Sequence, residues 1–127
     1  APNWQARFTQ LISLGAYMPG LPEAYRQSDY QVQGCESAVW LTALQKDGCW
    51  HFAADSDARL MKGLIALLLT QLQGQSSATL QRFDLAVFLT HCGLSQALSP
   101  SRTNGLQAIF AAMQRLSQPQ ESVPASQ

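Results

Sequence analysis

Val39-Trp40-Leu41-Thr42-Ala43-Leu44, Lys46-Asp47-Gly48 and Cys49-Trp50-His51-Phe52-Ala53 follow one another with only Gln45 between. The outer two segments are rich in β-branched and aromatic residues, and the middle one is a turn signal, so the stretch predicts a β-hairpin. A two-stranded hairpin is marginal by itself. A third strand is therefore expected, around Tyr30 to Gln33 or just after it. Gly34-Cys35 falls in the loop before the first strand.

Outward from the hairpin the pattern turns helical. Asp55-Ser56-Asp57 reads as an N-cap cluster for Ala58 to Leu72, a helix apolar on nearly all sides and closed by Gly74. Its composition marks it as the buried central helix. Ser76 or Ser77, and then Asp84, read as caps for two shorter helices, the second ending at Gly93. Ser99-Pro100 is a cap followed by proline at the first helical position. Leu106, Ile109, Phe110, Met113 and Leu116 then trace a last amphipathic helix. Toward the N-terminus, Trp4, Phe8, Leu11 and Ile12 give a helix over 4 to about 15, stopped by Gly15 and Pro19, and Glu23 to Gln27 can hold one short turn. Helix, hairpin and four helices predict an α+β fold, with a small antiparallel sheet packed against several helices.

The 127 residues correspond to one domain at about 150 residues each. Residues 1–117 read as that domain and 118–127, polar and punctuated by proline, as a disordered tail. Charged residues are only 13% of the chain and sum to a formal net charge of +0, with sixteen glutamines supplying much of the polarity. This balance gives no general basic surface, so neither nucleic acid nor an anionic membrane is expected as a partner. The longest apolar run, Leu64 to Leu69, is far short of the roughly 18 residues a membrane-spanning helix requires. No secretion signal opens the chain, and three cysteines make no disulfide framework, so the expected compartment is the reducing cytoplasm. A start at Ala1 rather than methionine reads as a trimmed product.

Cys35 is the first candidate for chemistry. Gly34 before it allows unusual backbone angles, and a loop is the usual address for a reactive group. A small buried hydrophobe is the competing reading. No general base adjoins the thiol, and the neighbouring Glu36 would raise its pKa, so a reactive Cys35 would depend on a partner for activation. Cys35, Cys49, His51, His91 and Cys92 offer zinc-type ligands, but their spacing fits no closed motif. A metal or iron–sulfur scaffold using them is the alternative function. Arg102 adds unfavourable charge at a helix N-terminus already started by Ser99 and Pro100, and Asn104 and Gly105 are poor helix formers one turn in. Something other than helix stability accounts for them. Nucleophile elbows and glycine-rich phosphate loops are absent.

Three segments together carry a resemblance. They are Gly34-Cys35-Glu36-Ser37-Ala38-Val39-Trp40, Asp55-Ser56-Asp57-Ala58-Arg59 through Lys62-Gly63-Leu64-Ile65-Ala66, and Leu98-Ser99-Pro100-Ser101-Arg102-Thr103-Asn104-Gly105-Leu106. In order and spacing they resemble the SufE-type sulfur acceptor proteins, the SufE/CsdE family that partners cysteine desulfurases. The resemblance implies an α+β fold shared with IscU-type scaffolds. It implies that Cys35 takes sulfane sulfur as a persulfide from a desulfurase of the SufS or CsdA type, stimulates that enzyme, and passes sulfur on toward iron–sulfur cluster assembly. It places Asp57, Arg102 and Gly34 near the acceptor loop or the desulfurase interface. No metal and no cofactor is implied for this chain, pyridoxal phosphate belonging to the desulfurase, and independent enzymatic activity is not expected. A downstream sulfur-receiving protein such as a cluster scaffold is the second partner, and a homodimer is compatible with the reading. Glu36 and Ala38 stand where the family's commonest pattern has glutamine.

Overall fold

A computed structural model describes residues 4–119. The order is α1 (Trp4–Ala16), two 3-10 turns (Glu23–Tyr25 and Ser28–Tyr30), β1 (Val39–Lys46), β2 (Cys49–Ser56), α2 (Arg59–Leu72), β3 (Gln75–Ser76), α3 (Ser77–Arg82), α4 (Leu85–His91) and α5 (Pro100–Leu116). The fold is α+β, a three-stranded antiparallel sheet of order β1-β2-β3 with five helices among the described residues. Residues 120–127, most of the expected disordered tail, lie outside the described residues.

The hairpin forms where its turn chemistry demands. Asp47 and Gly48 both have positive φ, 53° and 78°, the conformation a two-residue turn needs to match strand twist. That turn fixes the register from Lys46 opposite Cys49 to Val39 opposite Ser56. Val39, Leu41, Phe52 and Ala54 then point inward, and the buried face packs on α2 and α5. Helix α2 buries eight residues, Leu64, Ile65, Leu68 and Leu72 among them, each worth roughly 1.5–3 kcal/mol if fully buried. It is the central helix. Against it α1 lies so close that a Cβ on Gly63 would run into the Leu11 carbonyl.

Two expectations are corrected. The third strand is not at Tyr30–Gln33: there only Gln31 bridges Trp40, with the Val32 amide donating to the Val39 carbonyl at 2.8 Å. The strand is β3, on the opposite edge, pairing with Cys49 and Trp50. Gln73 prolongs that edge with its side chain, accepting from the Phe52 amide at 2.6 Å and donating to the Phe52 carbonyl at 2.8 Å. Nor is Asp55-Ser56-Asp57 a simple cap. Asp55 and Ser56 end β2, and the N-cap of α2 is Ala58, which has no side-chain acceptor. Asp55 instead turns inward as a buried acceptor. The other caps form as read: Ser76, Asp84 and Ser99 accept from the amides of Thr79, Val87 and Arg102. Leu116 leaves the apolar stripe of α5 and is exposed.

Candidate functional site

Three chain segments meet around Cys35: the loop 33–38, the β2–α2 junction and the first turns of α5. Gly34 adopts φ +92°, which side-chain-bearing residues rarely take, and a Cβ there would stand 3.2 Å from Ala108 of α5. The loop is thereby brought down onto α5. Cys35 follows, half-buried, with its Sγ–H donating to the Gly105 carbonyl at 3.5 Å. Among the described residues this is the thiol's one hydrogen bond, and a thiol is a weak donor. A Cβ on Gly105 would lie 3.7 Å from Sγ and 3.3 Å from Met61 Cε. The glycine that spoils helix propensity in α5 is the floor under the thiol. Burial pushes the Cys35 thiol pKa up, because the thiolate loses water without gaining a cation.

The loop is tied at both ends of its second half. Ala38 donates its amide to Asp57 Oδ1 at 3.1 Å, and its carbonyl accepts from Ser56 Oγ at 2.8 Å. Glu36 Oε2 accepts from the Ser101 hydroxyl at 2.6 Å. Beside them opens a cleft of about 190 Å³ lined by Glu36, Ser37, Met61, Ser101 and Arg102 among others. Arg102 is exposed, and no hydrogen bond or ion pair joins its guanidinium to Asp57 or to any other described residue.

The ion pairs go to Asp55. Its Oδ2 accepts from Arg26 at 2.5 Å and from the Leu21 amide at 3.0 Å, while Lys62 stands 3.5 Å from Oδ1. Burial alone would raise this carboxyl, but the Leu21 and Ser56 amides, Arg26 and Lys62 together hold it below the usual carboxylate range. Arg26 also lies over Trp40, 5.7 Å from its ring centroid. The segment leading to the Cys35 loop is thus fastened to the sheet through Asp55. Sequence reading finds this aspartate but gives it the wrong task.

The remaining thiol and imidazole groups are placed elsewhere. Cys49 sits half-buried on β2 opposite Lys46 and Ser76, with His51 exposed two residues on. Cys92 is the half-buried C-cap of α4, its pKa raised by burial, and its carbonyl accepts from Arg7 at 3.1 Å. Among the described residues no group of three or more His, Cys, Asp or Glu side chains is arranged to hold a metal ion. No helix among them is long and apolar enough to cross a membrane.

Cys35 is thus a half-buried thiol on a tethered loop, and its hydrogen-bond partner among the described residues is a backbone carbonyl rather than a base. The family model described as "SufE: Fe-S metabolism associated domain" matches residues 1–117, and the chain belongs to the SufE family. It is 37% identical over 112 residues to the "Sulfur acceptor protein CsdE" of Escherichia coli (strain K12), covering 87% of this chain and 76% of that protein. It is 33% identical over 117 residues to an "Uncharacterized SufE-like protein" of Haemophilus influenzae, covering 91% and 93% respectively. The solution structure of a hypothetical protein from Thermus thermophilus shares the fold, with TM-score 0.73, 22% identity, and 92% and 85% of the two chains covered.

Proposed function

We propose that this protein is a sulfur acceptor and carrier for a pyridoxal-phosphate cysteine desulfurase, using Cys35 as the acceptor, and that it stimulates the desulfurase by removing its product sulfur. The observation that carries the reading is the half-buried Cys35 thiol, seated over Gly105 on a loop tied to two neighbouring elements. Membership of the SufE family and likeness to a protein named a sulfur acceptor support it.

The chemistry is thiol exchange. The Cys35 thiolate attacks the outer sulfur of the donor's cysteine persulfide; one S–S bond forms and one breaks. The donor sulfur leaves as a thiolate with the electron pair, and it takes a proton from solvent. No net oxidation occurs. Rate depends on access and on thiolate fraction, both of which are low for Cys35 at rest. A docked desulfurase must therefore expose or ionise the thiol. Resting shelter suits the cargo, because a persulfide in the reducing cytoplasm is open to attack by small thiols.

Gly34 gives the loop its path. Asp57 holds the loop's end through Ala38, and Arg102, exposed at the rim of the cleft, is assigned to an acidic surface of the desulfurase. The carried sulfur passes to a downstream protein of cluster assembly. Incubation with desulfurase and cysteine should add one sulfur atom to the intact mass, and an unchanged mass would overturn the proposal.

A further inference from the structure

We infer that Glu36 and Ser101 form a clasp that sets how often the Cys35 loop opens. The inference rests on the acceptor role of Cys35 proposed above.

Glu36 follows the nucleophile directly and is solvent-exposed, yet its Oε2 accepts from Ser101 Oγ at 2.6 Å, the length of a charge-assisted O–H···O bond. Ser101 contributes nothing that α5 requires, since the helix is capped by Ser99 and started by Pro100. The two residues are 65 positions apart, so the bond ties the loop to a different element rather than bracing a local turn. The other fixed points of the loop are backbone contacts at Ala38 and the weak S–H bond to Gly105. Between Gly34 and Ala38, the clasp is the one tie made by a charged group of the loop itself among the described residues. It also borders the cleft that contains Arg102, where a partner assigned to that cation would arrive.

A bond of this kind can act on a loop without touching the reaction. Glu36 supplies an acceptor oxygen and Ser101 a hydroxyl proton, and neither atom needs to reach sulfur. Both are positioning residues. Loss of the clasp leaves the core, the cap of α5 and the Asp55 cluster in place, so the open loop gains population while the fold is kept.

The test is the rate at which N-ethylmaleimide alkylates Cys35 in the free protein, followed by peptide mass so that Cys49 and Cys92 are scored separately. Ser101→Ala keeps the Glu36 charge and removes the bond, and it should raise the Cys35 rate roughly three- to tenfold. Glu36→Gln keeps an acceptor but loses the charge that strengthens the bond, so it should fall between wild type and Ser101→Ala, whereas Glu36→Ala should match Ser101→Ala. In the pH–rate profile of Ser101→Ala the rate should rise at every pH, with the midpoint at or below that of wild type, because opening the loop relieves the burial of the thiol. The Glu36→Ala/Ser101→Ala double variant should be no faster than either single. A wild-type rate in Ser101→Ala, or additive effects in the double variant, would overturn the clasp. Sulfur loading by desulfurase is read separately: a wild-type protein that takes no sulfur defeats the acceptor reading and leaves the alkylation result standing.

Discussion

Cys35 Sγ rests 3.5 Å from the carbonyl oxygen of Gly105, seventy residues away, and Met61 Cε packs against the same glycine. The thiol and Met61 leave room at Gly105 for a methyl group but for nothing longer. Gly105→Ala places a methyl at ordinary contact distance from sulfur, with only the flexible end of Met61 to yield. It should be tolerated, with a melting temperature equal to or slightly above wild type. Gly105→Leu has no such room and should drive the thiol out, seen as fast alkylation of Cys35 by a bulky maleimide. A slow Cys35 in Gly105→Leu would contradict the seat.

Burial raises the Cys35 pKa, and the direction has two consequences. Alkylation of the free protein should titrate with a midpoint above that of an exposed thiol. The folded form resists ionisation, so the Cys35 contribution to stability is complete below the unfolded thiol pKa and is lost as pH rises through the folded value. Cys35→Ser should therefore flatten the alkaline limb of a stability–pH curve. Addition of desulfurase should speed alkylation at constant pH; equal rates with and without partner would remove the need for loop opening.

Asp55 carries the opposite sign. Its lowered pKa means that its contribution is present above the unfolded carboxylate pKa and fades as pH falls through the lower folded value. Because the carboxylate is buried and holds Leu21, Arg26 and Lys62, Asp55→Ala should cost about 2–3 kcal/mol in urea unfolding, and Asp55→Asn somewhat less. Acid unfolding of either variant should begin from a lower plateau and show a shallower slope. A loss below ~0.5 kcal/mol would mean that the segment before the Cys35 loop is held by its other contacts.

The hairpin is legible in the sequence because its determinants are local: Asp47-Gly48 supplies the turn and the alternation supplies the face. The caps at Ser76, Asp84 and Ser99 are legible for the same reason. What escapes depends on residues far apart. β3 is two residues long and carries no strand pattern, and its pairing with Cys49 and Trp50 follows from where α2 ends. Asp55-Ser56-Asp57 has the composition of a cap, and only the arrival of Leu21 and Arg26 turns Asp55 inward. Gly34 marks the Cys35 loop, but nothing in the order of residues pairs Glu36 with Ser101 or the thiol with Gly105. Arg102 is singled out by its unfavourable place on the helix, and it is exposed in the fold.

Arg102→Ala should lower desulfurase affinity and stimulation severalfold while leaving the melting temperature within a degree or so of wild type, since its guanidinium has no partner among the described residues. Arg102→Lys should recover part of the loss, because lysine keeps the charge but not the planar fork. Comparison of affinity and melting temperature on the same samples decides. A fall in stability alongside affinity would point to an internal role, and normal sulfur transfer in Arg102→Ala would make it a solvated surface residue.

The acceptor role of Cys35 is tested most directly by intact mass after incubation with a cysteine desulfurase, its pyridoxal phosphate and free cysteine, followed by reduction. Wild type should gain one sulfur, lost again on reduction; Cys49→Ser and Cys92→Ser should do the same. Cys35→Ser should keep its fold and gain none. Sulfur loading of Cys35→Ser equal to wild type would contradict the account.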